Sequence, residues 1–210
     1  YSLLESVIDA YLDQPTRAWE NFVTNPDVRG PIVRASNAAM AIFYKRYENE
    51  LRWDPEKFDQ IVTRGAFPLH PLTTALLCNL SFSGSETIGN PRTLLGFIRE
   101  QVALMQDQPV IQNHQINWIL PIFLVDYFKE YLGKEPFKRF EVAVNKLPVN
   151  APDEHTRLLK ALLLQNVAEL KLTRDDQEIF LQEAAGIPYN SIKKNLSELV
   201  SIQAIRLDNI

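Results

Sequence analysis

Arg92 is the residue whose type and position could do chemistry most directly. It follows Asn90-Pro91, a pair suited to the N-cap and first position of a helix, so we expect it in the first helical turn. A cation there opposes the helix dipole, which favours negative charge at that end. Arg92 is therefore expected either to pair with a nearby carboxylate or to lie beside an anion such as a phosphate, whose oxygens match the guanidinium fork. Both interpretations stay open.

His70 is the second candidate. It stands between Pro68 and Pro71, which hold the backbone extended just before a helix predicted to start at Pro71. Its ring could bond the backbone of this stiffened turn, which is a structural role. Alternatively, it could be a pH-responsive group that faces a phosphate.

A third set of polar side chains lies near the end of the chain. Asn190, Lys193 and Lys194 fall on the outer face of a helix predicted over 190–200, and Arg206 follows in a strand-like segment. Such side chains contact the phosphates of nucleic acids. However, residues 153–210 contain nine acidic and seven basic side chains. Because a free DNA-binding domain is usually clearly basic, packing against another protein is the competing interpretation.

No other constellation indicates catalysis or a metal site. His114 and His155 have no partner at metal-binding spacing, and a Gly-x-Ser-x-Gly motif is absent. The single Cys78 excludes an internal disulfide and a cysteine-based zinc site, and it is expected to be a buried thiol. We therefore expect no catalytic residue and no bound metal.

Two segments of this chain resemble a family signature. Pro68-Leu69-His70-Pro71-Leu72-Thr73, followed by Asn90-Pro91-Arg92-Thr93-Leu94-Leu95-Gly96-Phe97, looks like a pattern in large bacterial P-loop ATPases. These include the ATPases of phage-exclusion (BREX) loci and related AAA+-like or STAND-like proteins of anti-phage defence. There the segment lies in the helical lid and a winged-helix domain follows. The resemblance implies that Arg92 reaches the γ-phosphate of ATP from the lid, with Asn90 as its helix cap and His70 nearby.

The chain carries no phosphate-binding loop of its own. The loop Ser83-Gly84-Ser85-Glu86-Thr87-Ile88-Gly89 lacks the lysine and the Gly-Lys-Ser/Thr spacing of a Walker A motif. We therefore expect no ATP hydrolysis by this chain alone. The resemblance implies instead that ATP is held by a P-loop core of the same polypeptide, which would be the principal partner, with other subunits as further partners.

Helices are expected to position these residues throughout. Residues 1–150 are predicted to form a multi-helix, lid-like domain, in which Pro31 begins a long helix reaching about Trp53 and Gly65 is a left-handed helix cap. The proline-rich stretch 147–153 is the predicted boundary. Residues 153–210 are predicted to form a winged helix, in which short strands at 170–173 and 202–207 form a small β hairpin.

Composition and the absence of targeting segments indicate the cellular location of the chain. The 210 residues have a net charge of −4, no apolar run long enough for a membrane helix and no signal peptide, so a cytoplasmic location with no membrane contact is expected. Both ends read as boundaries within a longer protein. The function expected is that of a non-catalytic part of a defence ATPase, coupling nucleotide state to a partner or DNA. The alternative is a helical adaptor or winged-helix DNA-binding regulator that binds no nucleotide.

Overall fold

The computed structural model describes residues 3–12, 15–82 and 91–206, apart from the side chains of residues 3, 5, 6, 79, 81, 82, 91 and 92. Within these ranges the protein is mainly helical, as predicted. It has eleven α-helices, two π-helical segments and one two-stranded antiparallel sheet. The contacts divide the chain into two compact units, Tyr1–Ile119 and Leu120–Ile210.

The first unit is organised around one long helix, α3, which packs against its neighbours in sequence and against α5 and the sheet. Its elements are α1 (Leu3–Leu12), α2 (Thr16–Val23), α3 (Pro26–Arg46), a π-helical segment (Tyr47–Leu51), α4 (Pro55–Phe58), a second π-helical segment (Asp59–Arg64), α5 (Pro71–Phe82), α6 (Pro91–Met105), β1 (Ile111–Gln112) and β2 (Gln115–Ile116).

Helix α3 begins five residues before the predicted start at Pro31. Asn25 caps it by accepting a hydrogen bond from the Asp27 N–H at 3.0 Å, and Pro26 takes the first position. This start signal is stronger than the isolated Pro31, so the helix accommodates that proline in its interior. The α-helix also ends before Trp53, at Arg46, because the chain widens there into the π-helical segment Tyr47–Leu51.

Gly65 is not the left-handed cap that the sequence predicts. It follows the second π-helical segment with φ −67° and ψ −20°, in the right-handed region. A Cβ on Gly65 would lie 3.0 Å from Asp9 Cγ and 3.2 Å from the Gln60 carbonyl oxygen. A side chain at this position would therefore crowd the Asp9 carboxylate of α1 and the Gln60 carbonyl.

The sheet of the first unit is a hairpin that was not predicted. Ile111 pairs with Ile116 and Gln112 with Gln115. The two turn residues, Asn113 and His114, have φ of 52° and 60°, as a type I′ turn requires. This hairpin packs on α3 and contributes to a small hydrophobic core. The buried residues of this core are Val28, Ile32, Phe67 and Ile116, and the partly buried residues around them are Trp19, Phe22, Val23, Ile111 and Trp118.

The second unit is built around α9. Helices α7, α8, α10 and α11 all pack against it. The predicted boundary at 147–153 therefore falls inside this unit, in the loop between α8 and α9, because its prolines interrupt the periodicity without ending the packing. The elements are α7 (Phe123–Phe128), α8 (Lys134–Val144), α9 (Asp153–Val167), α10 (Arg174–Ala185) and α11 (Tyr189–Ser201).

The winged helix is not confirmed. Residues 170–173 and 202–206 form no strand, and Leu207 lies outside the described residues. The Leu170 N–H bonds the Gln165 carbonyl at 3.0 Å and Thr173 caps α10, so the intervening residues only link two helices. The described part of 153–210 thus contains α9, α10 and α11, with Gly186 at φ 60° opening the three-residue turn before α11.

Candidate functional site

The first half of the motif is a buried segment held by backbone hydrogen bonds. The Phe67–Pro68 peptide bond is cis, and Leu69 pairs in parallel with Ile119. The Ile119 N–H donates to the Pro68 carbonyl at 3.0 Å, and the His70 N–H donates to the Ile119 carbonyl at 3.1 Å. These bonds hold the segment before α5 in one orientation.

His70 lies inside this segment and not at its surface. The residue is 1% exposed, and its Nδ1 accepts a hydrogen bond from the Leu72 N–H at 3.2 Å. The imidazole ring also meets Trp118 edge to face, with 5.4 Å between ring centroids. This geometry favours the structural interpretation of His70, and a role beside a phosphate stays a prediction.

Thr73 completes the attachment of α5. Its Oγ1 donates to the Ile119 carbonyl at 2.8 Å, so this one oxygen accepts from both Thr73 and the His70 backbone. The neighbouring Thr74 is equally buried, but its hydroxyl has no hydrogen-bond partner. Thr73 was part of the quoted motif, but its structural role was not predicted.

The second half of the motif places Arg92 at a helix start. Helix α6 begins at Pro91, so Arg92 lies in its first turn, as the sequence predicts. The first turn contains no acidic residue, so no carboxylate within it offsets the charge of Arg92. The side chain of Arg92 and the whole of Asn90 lie outside the described residues.

The last helix presents Lys193 in a group of four polar side chains. Lys193 Nζ lies 3.5 Å from Glu178 Oε1, and the Tyr189 hydroxyl donates to Glu178 Oε2 at 3.0 Å. Arg174 Nε lies 3.9 Å from the same carboxylate. Glu178 is therefore shared by two cations and a phenol, of which Lys193 and Tyr189 link α11 to α10.

Lys194 also lies beside a carboxylate. Its Nζ is 3.8 Å from Glu198 Oε1, one turn further along α11, and Glu198 Oε2 is 2.9 Å from His155 Nε2. His155 is 5% exposed, and its Nδ1 has no hydrogen-bond partner. Both candidate lysines thus have carboxylates within ion-pair distance, although their side chains are 65% and 77% exposed.

The remaining two candidate residues are exposed in the same unit. Asn190 lies in the first turn of α11, on the helix that carries both lysines, and Arg206 lies beyond the end of that helix. Arg206 is not in a wing strand, because residues 202–206 form no strand.

No family model, curated protein or solved structure matches this chain.

Two other features are absent from the described ranges. No three histidine, cysteine, aspartate or glutamate side chains there come together as a metal site would require. Membrane-spanning helices are likewise not found in that part of the chain, since none combines the necessary length with sufficient apolar character.

Sequence reasoning missed the carboxylates that accompany the lysines. The spacing of Lys194 and Glu198 is i, i+4, so this pair was open to prediction. The contact between Lys193 and Glu178 joins two helices, and it depends on how α10 and α11 cross, which no local pattern encodes.

Proposed function

We propose that this chain is a non-catalytic helical part of a larger P-loop ATPase of the kind found in bacterial anti-phage defence. In this proposal it couples the nucleotide state of a core elsewhere in the polypeptide to the engagement of a partner. The observation that carries the proposal is the start of α6, where Arg92 lies in a first turn that contains no carboxylate.

Arg92 is the residue that would contact the nucleotide. ATP held by the core would supply a γ-phosphate, and the Arg92 guanidinium would bind its oxygens in the two-donor geometry that arginine favours. Asn90 would cap α6 and so aim this side chain. The His70 backbone and the Thr73 hydroxyl would have a structural role, by holding the start of α5 through Ile119.

Helix α1 would transmit a movement at this site to the rest of the first unit. It packs against both α5 and α6, and also against the π-helical segment Asp59–Arg64. A displacement of α6 on nucleotide release would therefore shift α1 and the turn at Gly65. This step belongs to the proposal and follows from the packing of neighbouring helices.

The second unit would bind a protein and not DNA. Three of its helices, α9, α10 and α11, follow one another in the order of a helix-turn-helix, with the glycine-containing turn between α10 and α11. The proposal also includes the winged helix that the sequence predicts. The carboxylates of Glu178 and Glu198 lie beside Lys193 and Lys194, which lowers the positive potential that DNA binding needs.

The alternative function is a DNA-binding regulator without a nucleotide role. It is favoured by the exposure of Lys193 and Lys194 on the third helix of this unit, with Asn190 in its first turn. In that case Asn190, Lys193, Lys194 and Arg206 would contact phosphates.

Titrating the purified chain with ATP and with a short DNA duplex separates the two functions. The ATPase proposal predicts no turnover above background and ATP affinity no better than millimolar, because the phosphate-binding loop is supplied elsewhere. It also predicts DNA binding no tighter than the roughly 10⁻⁴–10⁻⁶ M of non-specific complexes at physiological salt.

A tighter, salt-dependent DNA complex that Lys193→Glu weakens would favour the regulator. ATP turnover by the chain alone would contradict the absence of a nucleotide-binding core.

A further inference from the structure

The second unit contains an open cleft of about 940 Å³. It lies between α8, α9 and the linker that joins α9 to α10, and the first turn of α10 and residues 204–205 also contribute to its wall. Its volume falls within the roughly 300–1,000 Å³ of pockets that bind ligands.

Five leucines of the lining, called the floor below, lie beside the amide side chains of Gln165, Asn166 and Gln177. Leu159 and Leu163 of α9 are its buried members. Around them, Leu162, Leu170 and Leu172 are only partly buried. Partly exposed leucines on the wall of one concave surface lose further contact with water when an apolar group covers them, and this favours binding.

The rim of the cleft is basic, although the chain as a whole carries a net charge of −4. Arg139, Lys171 and Arg174 line it, against a single acidic residue, Glu169. In the described part of the chain Arg139 and Lys171 have no ion-pair partner, and Arg174 has only a distant one, with 3.9 Å between its Nε and Glu178 Oε1. The side chain of Arg174 is 86% exposed.

We propose that this cleft binds an acidic amphipathic segment of a partner protein. Apolar side chains of the segment would cover the leucine floor, while its carboxylates would face Arg139, Lys171 and Arg174. An amphipathic helix lying in an apolar groove is a recurring mode of peptide recognition, and arginine forms charge-assisted hydrogen bonds with carboxylates. The partner is thus specified by charge opposite to the rim and by leucine-like anchors.

A nucleic acid fits the same cleft less well. A phosphate backbone would use the basic rim, but it has no apolar group for the leucine floor. Single-stranded bases are commonly held by stacking on aromatic side chains, and Phe140 is the one aromatic residue that lines the cleft within the described ranges.

This inference goes beyond the proposed function and does not depend on it. The cleft lies wholly within the second unit, whereas Arg92 belongs to the first. A partner could bind the cleft whether or not the chain belongs to an ATPase.

The test uses a fluorescein-labelled synthetic peptide with leucines at positions i, i+3, i+4 and i+7 and glutamates between them. Its binding to the 210-residue chain is followed by fluorescence anisotropy, and we expect micromolar affinity. Arg139→Glu/Lys171→Glu should weaken binding about tenfold or more, which is about 1.4 kcal/mol or more. The matched control is Lys134→Glu/Lys138→Glu, which changes the same charge at exposed positions of α8 outside the cleft and should leave affinity unchanged.

Two further measurements test the floor and the charge of the rim separately. Leu172→Gln, in the linker, should weaken binding of the acidic peptide. A peptide with lysines in place of glutamates should bind the unsubstituted chain at least about tenfold more weakly than the original peptide. Circular dichroism confirms that each variant is folded. The proposal is overturned if the acidic peptide does not bind, or if the rim and control variants weaken it equally. It is also overturned if a DNA duplex binds more tightly and depends on the rim but not on Leu172.

Discussion

Thr73 and Thr74 are adjacent, fully buried hydroxyl groups in different situations. Thr73 Oγ1 donates to the Ile119 carbonyl, whereas Thr74 Oγ1 has no partner. Thr73→Val should therefore lower the free energy of unfolding by about 1 kcal/mol, because a satisfied hydrogen bond is lost. Thr74→Val should leave it unchanged or raise it, since a buried hydroxyl without a partner is costly.

Urea unfolding of both variants, followed by far-UV circular dichroism, measures this difference. The two substitutions change side-chain size in the same way at neighbouring positions of α5, so each controls for the other. Equal destabilisation by both would mean that the bond to Ile119 does not hold the start of the helix.

At the residue scale, the secondary structure around the candidate side chains could be predicted from the sequence better than their contacts with distant residues. The prolines around His70 correctly indicated a stiffened segment before α5, which starts at Pro71 as predicted. The partner of that segment is Ile119, about fifty residues further on, and a pairing so distant in the chain has no local signal. For the same reason the carboxylate of Glu178 beside Lys193 could not be foreseen.

At the element scale, Gly65 lies where α1 packs against the end of the second π-helical segment. Gly65→Ala would press a methyl group against the Asp9 side chain and the Gln60 carbonyl. We expect a loss of about 1–3 kcal/mol in the free energy of unfolding, as overpacking usually causes. Thermal and urea unfolding measure it.

Gly30→Ala is the matched control for this prediction. Gly30 lies within α3, and the nearest atom to an added Cβ would be Arg34 Nη1 at an ordinary 3.5 Å. Alanine favours a helix over glycine by up to about 1 kcal/mol, but a Cβ on the helical residue before Pro31 meets the proline ring. We expect these two effects largely to offset each other, so that this variant stays close to the unsubstituted protein in stability. If Gly65→Ala is as stable as Gly30→Ala, α1 does not pack at Gly65 as described.

Most helices could be predicted from the sequence, whereas their interruptions could not. Capping residues and apolar periodicity indicated α5, α6 and the three helices of residues 153–201, each with a start near the observed one. The π-helical segments after α3 and α4 have no such signature, because their extra residue per turn is set by packing. The predicted strands at 170–173 and 202–207 failed over their described residues because brief alternation without a pairing partner does not make a strand.

At the scale of the whole molecule, the loop between α8 and α9 separates neighbours within one unit. Val149 is fully exposed there, so a protease site inserted between Val149 and Asn150 should be cut readily. We expect the two pieces to remain together on size-exclusion chromatography without denaturant, because α7 and α8 pack against α9 across the cut. The uncut protein is the control. Separation into two independently folded pieces would favour the boundary predicted from the sequence.

The central claim is that α6 presents Arg92 to the γ-phosphate of an ATP bound elsewhere in a larger ATPase. The most direct test is the rate of ATP turnover of that complete enzyme with Arg92→Ala, compared with Arg99→Ala at an exposed position of the same helix. We expect Arg92→Ala to lower turnover about tenfold or more, and Arg92→Lys to restore it only in part, because lysine cannot offer the planar two-donor fork. Arg99→Ala should leave the rate unchanged. An unchanged rate per folded molecule in Arg92→Ala would contradict the claim.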